Sequence, residues 1–185
     1  AANAATTPEQ VLSFFNNYVS AANSYSDTIT SFYAPDAKII RVVMKPDGTT
    51  ATVTADTKQY FNQMRIGANL AKINKYKNFY TERKITKQGN DYKITCKRQP
   101  STSDYKIPAH FVIGPDASGK LKIKEEMMYT KQQKFLKLDT FRYSQPSAAQ
   151  IVFQYQHMVL LFYRVLHHRA GDRHIHDRIT CSLYS

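Results

Sequence analysis

The sequence predicts an α+β domain in which a curved antiparallel sheet packs against three N-terminal helices. Helical spacing of apolar residues is concentrated in the first 70 residues, and four closely connected strand-like runs follow between Tyr76 and Thr130. The chain has 185 residues, of which 42% are hydrophobic and 22% charged, as in a globular protein. This length allows one ordinary domain plus an extension.

The first helix is predicted to begin just after Thr7. Threonine can cap a helix, Pro8 suits its first turn, and Gln10 stands at the capping-box position. Apolar residues follow at the spacing of one buried helical face: Val11, Phe14, Phe15, Tyr18, Val19 and Ala22. A second, short helix is predicted over 27–33, and it must end before Pro35.

The remaining elements follow in order along the chain. A strand over 38–44 turns at Pro46-Asp47-Gly48 and pairs with a strand over 49–54. Asp56 is the predicted cap of a third helix, whose buried stripe contains Tyr60, Phe61 and Met64. Four strands complete the sheet, over 76–87, 91–98, 104–113 and 120–130.

This order of elements, with the segment Phe32-Tyr33-Ala34-Pro35-Asp36-Ala37 entering the first strand, resembles the nuclear transport factor 2-like superfamily. That group includes ketosteroid isomerase, scytalone dehydratase and SnoaL-type proteins. The resemblance covers about residues 8–135. It implies a cone-shaped, cystatin-like domain over 1–137, with a pocket between sheet and helices. Because the superfamily holds enzymes, binding modules and assembly subunits, fold alone does not choose the function.

The composition changes after Lys137. All seventeen lysines lie at or before this residue, whereas the last 48 residues contain five arginines and five of the six histidines. We therefore expect a separate extension over 138–185, with one helix over 147–166 and an irregular tail. An appended module and a change of reading frame both explain the shift, and these alternatives stay open.

The beginning of the chain favours export to the periplasm or the exterior. It starts with Ala-Ala-Asn-Ala-Ala and lacks an initial methionine, as a chain does after removal of a signal peptide. No run reaches the roughly 20 apolar residues of a membrane-spanning helix. Cys96 and Cys181 allow at most one disulfide, and Cys96 is expected to pack as a small apolar residue.

Side chains alternate across a strand, so each strand-like run can be sorted into two faces. The alternation places Glu125 on the apolar face, which lines the pocket in the resembled fold. A carboxylate there must be paired, hydrogen-bonded or neutral, and Arg83 is its expected partner. Glu125 is thus the candidate catalytic acid or base. A structural ion pair, or a bulge that turns Glu125 outward, is the favoured alternative.

Candidate ligand-binding residues are those that alternation and resemblance place at the pocket: Tyr33, Tyr60, Tyr80, Arg83, Phe111, Glu125 and Met127. The catalytic tyrosine and aspartates of ketosteroid isomerase find no matching set on this chain. No cofactor and no metal site are predicted. A cluster of histidines in the extension, His167, His168, His174 and His176, lacks a metal-binding signature and favours adventitious affinity only.

The opposite face of the predicted sheet is rich in lysine. The net charge is +12, and seventeen bases face seven acids between residues 71 and 145. An acidic protein or nucleic acid is the partner that such a patch predicts, and a solvated surface is the equally weighted alternative. The patch residues are Lys93, Lys97, Lys106, Lys120, Lys122 and Lys124. Dimerisation through this face is plausible from the resemblance but is opposed by like charge.

The function predicted first is a non-catalytic module that binds a small apolar or amphipathic ligand, or a protein partner, in the pocket. The first alternative is a cofactor-independent isomerase, dehydratase or hydrolase that uses a pocket carboxylate near Glu125. The second is a basic assembly or nucleic-acid-binding module. A buried, pocket-facing Glu125 beside a tyrosine or histidine would favour the enzyme, whereas a closed pocket with Glu125 paired to Arg83 would favour the binding or structural module.

Overall fold

The computed structural model describes residues 6–133 and 135–136, so the predicted extension over 138–185 lies outside the described residues. Helix α1 spans Pro8–Asn23 and helix α2 spans Thr57–Ile73. The strands are β1 Tyr33–Met44, β2 Thr50–Ala55, β3 Asn78–Gln88, β4 Asp91–Pro100, β5 Ile107–Pro115 and β6 Leu121–Thr130. The predicted α+β class is confirmed.

Both helices begin where the sequence predicts. The Thr7 hydroxyl accepts a hydrogen bond from the Gln10 amide at 3.3 Å, and the Gln10 side chain accepts one from the Thr7 amide at 2.9 Å. Asp56 caps α2 by accepting from the Gln59 amide at 2.8 Å. The second, short helix expected over 27–33 is not an α-helix in the described residues. A single 3₁₀ turn, Ile29–Phe32, stands in its place because β1 already begins at the next residue.

The six strands form one curved sheet in the order β2-β1-β6-β5-β4-β3. The prediction of a wholly antiparallel sheet is wrong at one pairing, since β1 and β6 run parallel. Parallel neighbours need a long connection, and here α2 and the other strands lie between them in the chain. The parallel pair stands inside the sheet, with β2 on one side and β5 on the other.

One face of the sheet, called the inner face here, meets the helices and forms the core. Its fully buried residues include Ile39, Ile94 and Phe111. Helix α1 buries Val11, Phe15 and Tyr18 in this core. Helix α2 contributes only half-buried side chains to it, among them Tyr60, Phe61 and Met64. The two helices therefore differ in how firmly packing holds them.

Two β-bulges change which side chains reach the inner face. In β6, Ile113 pairs with Ile123 and Val112 pairs with Glu125, so Lys124 is an extra residue. In β3, one extra residue lies between Thr81 and Lys84. An extra residue reverses the alternation of every side chain that follows it. Face assignments made by simple alternation therefore fail beyond each bulge.

Candidate functional site

The bulge in β6 places Glu126, not Glu125, on the inner face. Glu126 pairs in register with Phe111 of β5, and none of its surface is exposed. The prediction that Glu125 lies on the apolar face is wrong because alternation was extended through the extra residue Lys124. The favoured alternative, in which a bulge turns Glu125 outward, is what the strand register shows.

Four side chains surround the Glu126 carboxylate, and with it they form what we call the carboxylate cluster. Arg41 Nη2 lies 2.5 Å from Oε1, and the Tyr60 hydroxyl lies 3.1 Å from the same oxygen. The Tyr18 hydroxyl lies 3.2 Å from Oε2, and the Tyr33 hydroxyl donates to Oε2 as well. Both carboxylate oxygens thus have two donors within reach.

The donors of the carboxylate cluster are also bonded to one another. Arg41 Nη2 donates to the Tyr60 hydroxyl at 2.7 Å, which leaves the Tyr60 proton for Glu126. The Tyr18 and Tyr33 hydroxyls lie 2.8 Å apart, so Tyr18 shares its proton between Tyr33 and the carboxylate. Every hydroxyl proton therefore has an acceptor, and the carboxylate has no oxygen left without a donor.

Burial keeps the cluster hydroxyls protonated. It raises the pKa of Tyr18 and of Tyr33 well above the usual 10.0, and the nearby charge of Glu126 raises both further. Burial also raises the pKa of Tyr60, although the Arg41 cation opposes this. For Arg41, burial acts against the charge, but Tyr60 and Glu126 raise its pKa above the usual value. The cluster is a stable charge pair ringed by neutral donors.

Aromatic rings extend from the cluster toward the surface. The Tyr33 ring lies 5.4 Å from that of Phe61, and the Tyr18 ring lies 5.9 Å from that of Phe32. Phe14 adds a further contact with Phe32 at 5.5 Å, and the three phenylalanines are half-buried. These tilted and edge-to-face contacts are the favoured geometries of aromatic pairs. A polar interior lined by an apolar wall suits an amphipathic molecule.

Four of the predicted ligand-binding residues meet at the inner face, three of them on strands and Tyr60 on α2. Tyr33 and Tyr60 belong to the carboxylate cluster, and their rings are 6.5 Å apart. Tyr80 and Phe111 are buried beside each other with ring centres at 5.6 Å. The structure therefore brings these residues to one side of the sheet, where the resemblance implies a pocket.

The other predicted ligand-binding residues lie elsewhere. Glu125 is on the outer face, 2.7 Å from His110 Nε2 and 3.9 Å from Lys38 Nζ. Arg83 is exposed and donates to Asn16 Oδ1 at 2.6 Å, so the expected ion pair between Arg83 and Glu125 is wrong. Met127 also faces outward, beside His110. It lies two residues after Glu125, and residues two apart in a strand share one face.

The sequence analysis missed Glu126, Arg41 and Tyr18 as site residues. A signal for Arg41 was present, because it alternates with Ile39 and Val43 on a strand whose inward positions are otherwise apolar. A charged residue at such a position demands a buried partner. Tyr18 was assigned to the buried face of α1, without a role for its hydroxyl.

The six lysines predicted as one patch occupy separate places. Lys93 and Lys97 line a shallow groove of about 290 Å³ on the outer face. Lys124 is 2.7 Å from Asp91, and Lys122 donates to the Ser31 carbonyl at 2.6 Å. The last two are exposed just before strands, Lys106 before β5 and Lys120 before β6. Because β5 and β6 are antiparallel, those two positions lie at opposite ends of the sheet.

Other sequence candidates add no chemistry to the part of the chain that the structure describes. Cys96 is a buried free thiol, and burial raises its pKa to about 11. Cys181 and the clustered histidines lie outside the described residues. Among residues 6–133, 135 and 136, no group of three His, Cys, Asp or Glu side chains is arranged to hold a metal ion. Neither described helix is long and apolar enough to cross a bilayer.

No protein-family model matches the chain, and no curated protein sequence matches it. Its fold nevertheless resembles solved structures. A provisionally assigned dehydratase of the NTF2-like family from Streptomyces avermitilis has a TM-score of 0.50 and 15% identity, over 65% of this chain and 93% of that one. An NTF2-like protein with a cystatin-like fold from Novosphingobium aromaticivorans has a TM-score of 0.49 and 12% identity, over 70% and 86%.

A provisionally assigned ketosteroid isomerase from Parabacteroides distasonis has a TM-score of 0.46 and 11% identity, over 70% of this chain and 91% of that one. The likeness to the Streptomyces structure, at a TM-score of 0.50, shows that the described residues have the nuclear transport factor 2-like fold that the order of elements predicted. At these identities the likeness concerns the fold, and function has to be argued from the side chains.

Proposed function

We propose that this chain is a non-catalytic binding module that takes an apolar or amphipathic ligand between α2 and the inner face of the sheet. The observation that carries the proposal is the packing of α2. Seventeen residues long, it buries none of them, although Tyr60, Phe61 and Met64 contact the core. An element with little buried surface opens at low free-energy cost. The hydrogen bonds that the Tyr60 hydroxyl makes with Arg41 and Glu126 are the polar contacts that such an opening has to replace.

The carboxylate cluster supports binding over catalysis. A general base needs an accessible oxygen within hydrogen-bond reach of the substrate proton. Glu126 is fully buried, and its oxygens face Arg41 and three tyrosines. A carboxylate stabilised in this way holds the interior in one arrangement and leaves the aromatic wall as the surface available to a ligand.

The test uses N-phenylnaphthylamine, a neutral dye whose fluorescence rises in apolar surroundings. The proposal predicts saturable binding by the wild-type chain. Met64→Lys puts a charge on the half-buried side of α2 and should weaken binding by at least about tenfold, or ~1.4 kcal/mol. Fluorescence titration gives the dissociation constants, and circular dichroism checks that the fold persists.

Gln63→Lys is the matched control, because it adds the same charge at the neighbouring, exposed position of α2. Its affinity for the dye should stay within about twofold of wild type. Absence of saturable binding by wild type, or equal weakening by the two lysine variants, would refute a site beneath α2.

A cofactor-independent isomerase or dehydratase is the second candidate. It is favoured by the paired hydroxyls of Tyr18 and Tyr33, which stand beside the Glu126 carboxylate. In such an enzyme Glu126 would move a proton from the α- to the γ-carbon of an unsaturated ketone, with the tyrosines bonded to the enolate oxygen. Conversion of a β,γ- to an α,β-unsaturated cyclohexenone, followed by ultraviolet absorbance and abolished by Glu126→Gln, would establish it. Equal rates with and without protein would eliminate it.

A further inference from the structure

Among the described residues, Arg98 is a buried cation without an acidic partner. Only 6% of its surface is exposed, and it lies on the inner face of β4, opposite Tyr80 of β3. Within the described part of the chain, no carboxylate stands at ion-pair distance from its guanidinium. Arg41, the other buried arginine of the sheet, is by contrast paired with Glu126.

All the groups that accept hydrogen bonds from Arg98 are neutral. Nη1 donates to Asn78 Oδ1 at 2.9 Å and to the Tyr76 hydroxyl at 3.4 Å, and Nη2 donates to the Tyr129 carbonyl at 3.2 Å. Nε is buried and has no hydrogen-bond partner in the part of the chain that the structure describes. Asn78 is itself held by Asn23, so the guanidinium is fixed in position with one N–H free.

This arrangement has a free-energy cost. A buried ion without a counterion costs several kcal/mol, and an unsatisfied N–H adds about 1–3 kcal/mol. Glu126 is too far along the sheet to help. Glu126 pairs with Phe111 of β5, which in turn pairs with Ile94 of β4. Ile94 is four residues, or about 13 Å, from Arg98 along β4.

Tyr80, which pairs with Arg98 across β3 and β4, supplies a second donor. The Tyr80 ring packs on Phe15 and Phe111, and no described residue bonds to its hydroxyl. Burial raises the pKa of Tyr80, Glu126 raises it further, and Arg98 opposes the increase. The hydroxyl is therefore a protonated donor on the Arg98 side of the carboxylate cluster.

We propose that Arg98 and Tyr80 bind the carboxylate of an amphipathic carboxylic acid whose apolar part lies under α2. This inference rests on the proposed binding function and adds the chemical class of its ligand. Arg98 Nε and the Tyr80 hydroxyl supply the donors. Tyr76, whose 3.4 Å contact is the longest at Arg98, lies in the connection that follows α2. A movement of α2 that admits a ligand therefore also weakens the contact between Tyr76 and the guanidinium of Arg98.

The experiment compares a dansylated undecanoic acid with its methyl ester, which lacks the charge and carries one additional methyl group. Wild type should bind the acid at least about tenfold more tightly, because the acid alone gains a charge-assisted hydrogen bond to Arg98. Arg98→Met should abolish this preference, so that acid and ester bind with similar affinity. Titration at high ionic strength suppresses attraction by the surface lysines.

Lys97→Met is the matched control, because it removes the same charge from the next residue of β4 on the outer face. It should retain the full preference for the acid. Tyr80→Phe keeps both charges and removes one donor, so it should reduce the preference several-fold. It also tests the site independently of how Arg98→Met folds.

Equal binding of acid and ester by wild type would overturn the inference, as would a preference that survives in Arg98→Met. These results differ from failure of the binding function, in which neither the ester nor the neutral dye would bind. The carboxylate proposal can therefore fail while the site beneath α2 stands.

Discussion

Glu125 and Glu126 are neighbours in the chain with opposite surroundings, and this contrast gives a prediction at the scale of the residue. Glu126 is wholly buried against Arg41, whereas Glu125 contacts His110 and Lys38 on the outer face. Removing one member of a buried pair leaves the other charge without compensation, while a partly exposed pair contributes little.

We expect Arg41→Met to lower the free energy of unfolding by about 3–5 kcal/mol and Glu125→Gln to lower it by less than about 1 kcal/mol. Urea unfolding followed by circular dichroism measures both. The double variant Arg41→Met/Glu126→Met should recover more than half of the loss, since it leaves no unpaired ion. Similar losses for Arg41→Met and Glu125→Gln would show that the cluster is not the central ion pair.

At the residue scale, the sequence could reveal the kind of site but not its members. Alternation on β1 marks Arg41 as an inward charge, and the rule that buried charges are paired then demands an acid. The sequence did not identify which glutamate is that acid. After Lys124, each of the two sets of alternating side chains contains one glutamate and one methionine. The hydrophobic pattern therefore could not choose between Glu125 and Glu126.

At the scale of the element, the ends of the helices show a conformational cost. Helix α2 ends with the amide of Tyr76 bonded to the Ala71 carbonyl at 2.9 Å and the amide of Lys75 bonded to the Lys72 carbonyl at 3.1 Å. This is the Schellman arrangement, which requires a left-handed residue and favours glycine. Lys75 occupies that position with φ of 49°.

Lys75→Gly should therefore stabilise the protein by about 0.5–1 kcal/mol, because glycine has no Cβ to oppose positive φ. The same substitution three residues earlier, Lys72→Gly, should destabilise it by about 1 kcal/mol, because Lys72 lies within the helix. Midpoints of urea unfolding compare the two. Destabilisation by both changes would contradict the left-handed assignment of Lys75.

Elements themselves were predictable where local chemistry is strong. The capping groups Thr7 and Asp56 were identified from sequence, and both form the expected bonds. The parallel pairing of β1 with β6 was not, because it depends on contacts between segments some eighty residues apart. The bulge at Lys124 was not predictable from the sequence either. It depends on the register with β5 and not on a turn residue.

At the scale of the whole molecule, the interior depends on neutral tyrosines. Burial raises the pKa of Tyr18, Tyr33, Tyr60 and Tyr80 above the usual 10.0. In the unfolded chain these hydroxyls ionise near pH 10, whereas in the folded chain they stay protonated to higher pH. The folded state thus binds more protons above pH 10, so the stability that these groups contribute is present below that pH and lost above it.

Each such tyrosine lowers stability by about 1.4 kcal/mol per pH unit, so four of them lower it by up to ~5 kcal/mol per unit. We expect cooperative unfolding that begins near pH 10, with tyrosinate absorbance from the buried groups rising together with loss of the circular dichroism signal. Tyr80→Phe removes one titrating group without removing a hydrogen bond to Glu126, and should make the decline shallower by about a quarter. If all the tyrosines instead ionised gradually while the dichroism persisted, the hydroxyls around Glu126 would be open to solvent. The interior would then lack a closed polar network. Both the proposed binding function and the proposed role of Arg98 depend on that network.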